Sequence, residues 1–167
     1  MSHRTLLLAS AIAAAAAVFA VPITALAAVY SDNVAGIEVY ATSTEGVFSG
    51  TAGGPLPGLW SASVLHTPLG GTPQQATIVG GVFGLGTGLE LVTGAFTGGK
   101  VVQTGGLTGC TNQTYTVNGT LSNVGVYGQA HTGTGGFLAV LTHYRYSVFG
   151  ACVTYGASIK GTVSLSF

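Results

Sequence analysis

The sequence has 167 residues, of which 47% are hydrophobic and 5% charged, with 28 glycines and a formal net charge of zero. Beyond an expected leader of residues 1–27, three bases (Lys100, Arg145, Lys160) face four acids (Asp32, Glu38, Glu45, Glu90), a net charge of −1. So few cations exclude phosphate-driven nucleic-acid binding and a polybasic membrane anchor, and this hydrophobicity excludes a disordered chain.

The first element is an address. His3 and Arg4 precede Leu6-Leu7-Leu8 and an alanine-rich run to Ala20; Pro22 interrupts it, and Ala25-Leu26-Ala27 supplies small residues two apart. That order predicts a secretory signal peptide over 1–27 and a single mature domain over 28–167, placed outside the cell or in its envelope. Such a compartment is oxidising, so Cys110 and Cys152 are expected to form a disulfide.

From residue 28 onward apolar residues alternate with Ser, Thr and Asn at period two, and no 3.6-residue stripe of helical length is present. Strands are expected near 34–42, 46–52, 58–67, 74–84, 88–97, 99–104, 114–121, 135–146 and 153–167, with Gly98-Gly99 read as a two-residue hairpin turn. The last is the clearest: Val153, Tyr155, Ala157, Ile159, Gly161, Val163, Leu165 and Phe167 form one row. The expected fold is all-β, a single small antiparallel β-barrel of about eight or nine strands, with a β-sandwich as the alternative.

An apolar–x–Gly–x–apolar pattern recurs at Phe48/Gly50/Ala52, Val79/Gly81/Phe83, Val92/Gly94/Phe96, Val117/Gly119/Leu121 and Ile159/Gly161/Val163. A glycine in an apolar row empties a crowded concave face and lets a strand bend, as closing a small barrel requires. Closure also protects strands that carry few charges to blunt their edges. Cys110 lies nine residues before Gly119 and Cys152 nine before Gly161, which predicts both cysteines at one end of the barrel.

Familiar catalytic motifs fail. The run Gly94–Val101 nearly spells a phosphate loop but lacks Ser or Thr after Lys100 and continues as a strand, where a helix is needed. Gly84–Gly88 has the wrong spacing for a dinucleotide site, and neither GxSxG nor HExxH occurs. Asn112 and Asn118 fit the glycan acceptor pattern. What remains follows from parity: His66 shares a row with Trp60, His143 and Arg145 share one with Phe137, and Glu90 shares one with Val92. These place Trp60, His66, Phe137 and His143 as candidate ligand-binding residues, and His66, His143, Arg145 and Glu90 as the only candidates for acid/base chemistry. The simpler reading puts the polar members at solvated strand ends. Nothing in the spacing of His66, His131 and His143 points to zinc, and no metal or cofactor is expected.

The stretches GPLPGLWSASVLHTPL (54–69), GCTNQTYTVNGTL (109–121) and LTHYRYSVFGACVTY (141–155) resemble short secreted Gly/Thr-rich β proteins of high-GC Gram-positive bacteria. That resemblance implies secretion and a β fold and carries no activity. In size and strand pattern the chain is more distantly similar to allene oxide cyclase and dirigent barrels, with no shared motif on which to transfer residues. The expected function is a secreted non-enzymatic barrel that binds a small apolar ligand or a cell-surface component. The alternatives are a self-assembling envelope protein, a small-barrel cyclase or isomerase, and an outer-membrane barrel, the last suggested by the C-terminal Val163, Leu165 and Phe167.

Overall fold

The computed structural model describes residues 27–167, so the expected leader lies, but for Ala27, outside the described residues. Eight strands follow one another: β1 (Val29–Ala41), β2 (Glu45–Gly53), β3 (Gly58–His66), β4 (Gln75–Gly86), β5 (Leu91–Gly105), β6 (Gln113–Val126), β7 (Gly133–Val148) and β8 (Ala151–Ser166). Each pairs antiparallel with the next, and β8 returns to β1, closing the barrel. The sandwich alternative is thereby set aside.

Period two decides what fills the interior. Along β8, Ala157, Ile159, Val163 and Leu165 are buried while Lys160, Thr162 and Ser164 are exposed. Midway up the barrel Phe137 packs between Trp60 and Phe96, with ring centroids 5.8 and 6.1 Å away. An eight-stranded barrel is just wide enough for side chains to fill, and these three aromatics plug it. Glycine makes the plug possible: a Cβ on Gly119 would sit 2.8 Å from Phe96 Cε1. Gly161 allows the wall itself to close, since its Cβ would lie 2.5 Å from the Ala139 Cα.

Three expectations are corrected by bulges. Gly98-Gly99 does not turn the chain; β5 runs through it, pairing Gly98 with Thr120 and Gly99 with Gly119. The register slips between Phe96 and Gly98, and Gly99 has φ of 136° with its missing Cβ against the Asn118 carbonyl, so the pair bends the wall instead of reversing it. Eight strands result, not nine. In the Val79/Gly81/Phe83 repeat, Val79 points outward because it is an extra residue where β4 passes from Gly80, opposite Leu65, to Ile78, opposite His66. The other four repeats lie in interior rows.

The third correction is at the hairpin of β7 and β8. β8 pairs with β1 only as far as Ser158 opposite Ile37, and β7 with β6 only as far as His143 opposite Gln113, while β7 and β8 stay paired to Val148 and Ala151. Residues 144–156 therefore project beyond the barrel as a two-stranded ribbon. Tyr155 is an extra residue on β8 between Gly156 and Thr154, which shifts the parity, and Val153 and Tyr155, expected inside, are exposed. The disulfide forms as expected: Cys110, in the loop between β5 and β6, is joined to Cys152 of the ribbon with Cα atoms 5.5 Å apart.

The two ends of the barrel differ. At one, loop 54–57 folds inward, so that Leu56 packs with Phe167 against the core. At the other, the ribbon, the bridged loop and loop 67–74 surround an open mouth.

Candidate functional site at the barrel mouth

The mouth is built where two inward rows run out. On β1 the row Asp32, Val34, Gly36 ends at Glu38; on β7 the row Phe137, Ala139, Leu141 ends at His143. β8 lies between these strands, and its inward residue there is Ala157, opposite His143. A methyl group is short enough for the flanking side chains to meet over it, and His143 Nε2 donates to Glu38 Oε2 at 3.0 Å. With Nε2–H committed to the carboxylate, the neutral ring carries its lone pair on Nδ1.

Tyr115 on β6 stands beside this pair, its ring centroid 5.4 Å from that of His143. Its hydroxyl donates to Gln74 Oε1 at 2.7 Å. Burial raises the Tyr115 pKa above the ordinary 10.0; Arg145 opposes this and Glu38 adds to it. Gln74 belongs to loop 67–74, and Gln103 holds that loop from below: its Oε1 accepts the Gln74 N–H at 3.2 Å, and its Nε2 donates to the carbonyls of Gly105 and Gly106. Thus one amide network fixes the tyrosine and the loop together.

Between them lies a cavity of about 70 Å³. Phe48, Val64, Val101, Val117 and Leu141 form an apolar floor, and Glu38, Glu45, His66, Leu69 and His143 stand around it. Glu45 Oε1 accepts the Ser63 hydroxyl at 2.7 Å. His66 Nδ1 lies 2.7 Å from the Thr67 carbonyl, which can only accept, so Nδ1 is the donor of that hydrogen bond. Pockets for drug-sized ligands measure about 300–1,000 Å³; this space holds roughly five water-sized groups.

Of the residues singled out from the sequence, the fold brings His66 and His143 together at the mouth. Arg145 lies just beyond them on the ribbon, where its backbone N–H donates to Asn112 Oδ1 at 3.0 Å. Glu90 does not join them. It is exposed in the turn between β4 and β5, its carbonyl accepting the Thr87 N–H, at the opposite end of the barrel. Parity assigns a face but not an end. Trp60 and Phe137 belong to the plug, and the Trp60 indole N–H donates to the Ala35 carbonyl at 3.1 Å. His131 is also at the far end, bonded to the Val126 carbonyl, so the three histidines do not meet.

Glu38, Glu45 and Tyr115 were not singled out from the sequence. Glu38 was within reach, since counting by twos from Val34 arrives at it, but its partner is supplied only by closure of the barrel. No protein-family model matches the chain, and no curated protein or solved structure is significantly similar to it. The mouth must therefore be interpreted from its own chemistry.

Proposed function

We propose that the chain is a secreted, non-enzymatic barrel that holds a small apolar ligand at the mouth, outside the cell or in its envelope. The observation that carries this reading is an apolar-floored cavity with the Glu38 carboxylate at its rim, at the end of an otherwise filled barrel. Carboxylates only accept, so the ligand's polar end is a donor, a hydroxyl or an ammonium, with a short hydrocarbon tail on the floor. The disulfide fits an oxidising compartment. Inward apolar rows weigh against a barrel that turns them to lipid, and the distance of Glu90 from the histidines weighs against a cyclase built on those four residues.

Isothermal titration with straight-chain alcohols and amines of increasing length tests the reading. Binding should strengthen with each carbon until the floor is full and then stop, and Glu38→Gln should weaken the amines most. Affinity that rises without limit, or that ignores the substitution, would contradict it.

A further inference from the structure

The ribbon of residues 144–156 borders the mouth at its base and carries one half of the disulfide, while its outer part has an ordered composition of its own. At its tip, Phe149 and Gly150 turn the chain with φ of 48° and 82°. Such a two-residue turn takes Asn-Gly by preference, because bulky side chains seldom adopt positive φ. Here the first position is a phenylalanine that is fully exposed and touches no core residue. Folding does not need it; a smaller residue would turn more easily.

Behind the tip come Val148 opposite Ala151, then Ser147 opposite the bridged Cys152, then Tyr146 opposite Val153, then Arg145 opposite Thr154, then Tyr144 opposite Gly156. Tyr155 packs on Tyr144 and Tyr146, with centroids 6.0 and 5.4 Å away, so three phenol rings form one outward face. Tyr144 is held by a 2.7 Å hydrogen bond to Ser158. From tip to base hydrocarbon comes first, and the phenols and the one cation lie behind it, past the Ser147–Cys152 pair. That is the order of polarity met on leaving a bilayer's acyl region for its headgroups, where aromatic rings with one wet end collect. The ribbon's only charged residue is cationic Arg145, which makes no ion pair among the described residues.

We propose that the ribbon tip is a membrane-docking device, with Phe149 entering the acyl boundary of a lipid surface and the tyrosines and Arg145 resting among the headgroups. A lipid surface fits better than a folded partner because a two-residue tip is narrow, whereas a stable protein interface buries about 800 Å² on each side. It also fits better than a second copy of this chain. The free edge of β8 carries its extra residue at Tyr155, and a bulge of this kind spoils strand-to-strand pairing.

The test uses the purified protein and vesicles of phosphatidylcholine containing a minority of phosphatidylglycerol. Phe149→Gly suits the turn and should keep the fold, while weakening vesicle binding roughly tenfold. Phe149→Trp adds a reporter, since the chain's one native tryptophan, Trp60, is sealed in the core. Its emission should move to shorter wavelength with vesicles and be quenched by brominated lipid. Vesicle binding unchanged by Phe149→Gly, or a tip tryptophan that stays in water, would overturn the proposal. So would a dimer that forms without lipid and is lost in Phe149→Gly, which would make this face an interface between copies.

Discussion

Two carboxylates point into the barrel from β1, one at each end, and they do opposite things. Asp32 is completely buried; its Oδ1 accepts the Leu56 N–H at 2.8 Å, latching loop 54–57 over the closed end, while its Oδ2 has no partner among the described residues. Gly54 leaves room for the latch, since it has φ of 145° and a Cβ there would sit 2.6 Å from Oδ1. Glu38 occupies the same row at the mouth, keeps 12% side-chain exposure and pairs with His143. The same chemistry fastens one end and leaves the other receptive, because an acid's role is set by what covers it.

Removing what holds the mouth gives the largest expected effect. Replacing Cys110 and Cys152 by serine releases a loop spanning 42 positions, which costs about 4 kcal/mol in the chain-entropy model. Denaturant unfolding should show that loss, and hydrogen exchange at Leu56 should show the closed end still latched under native conditions. Early exchange at Leu56 would mean that the two ends are not independent.

The wall joining the ends comes next. Gly119→Val pushes into Phe96 and should cost roughly 1–3 kcal/mol, whereas Thr120→Val, on the outer face, should stay within about 0.5 kcal/mol. Equal tolerance at both positions would reverse the assignment of faces.

At the closed end, Asp32→Ala strands the Leu56 N–H and should cost about 2 kcal/mol. Asp32→Asn keeps an acceptor and should lose less. If the two variants unfold at the same denaturant concentration, the latch does not depend on that hydrogen bond.

The smallest effect belongs to the mouth and is a matter of pH. Burial raises the Tyr115 pKa above 10.0 in the folded state, so its contribution is complete below pH 10 and disappears as pH rises through the folded value. Tyr115→Phe should flatten that alkaline decline and change neutral stability by about 1 kcal/mol or less. A decline of unchanged steepness would locate the titrating group elsewhere.

How much of this could be read beforehand depended on continuity. Ala157 to Leu165 alternate without a break, so that part of β8 and its inward face were legible. β1 was read from Val34 because Asp32 interrupts the apolar row, and the interruption is the latch itself. Glycine pairs were ambiguous: Gly98-Gly99 has the composition of a turn and the position of a bulge, and only pairing with β6 decides. The inward face of His66 and His143 followed from parity, while the Glu38–His143 pair joins residues 105 positions apart. That contact exists because β8 lies between their strands with an alanine at the crossing, which no local pattern records.

The most direct test of a filled barrel with one receptive end is NMR of the His66 and His143 imidazoles and the Trp60 indole during titration with a short-chain amine. The account predicts that both imidazoles shift along one binding curve while the Trp60 signal stays still. Movement of Trp60 would place the ligand in the lumen, and two imidazoles that never respond would leave the mouth without a ligand.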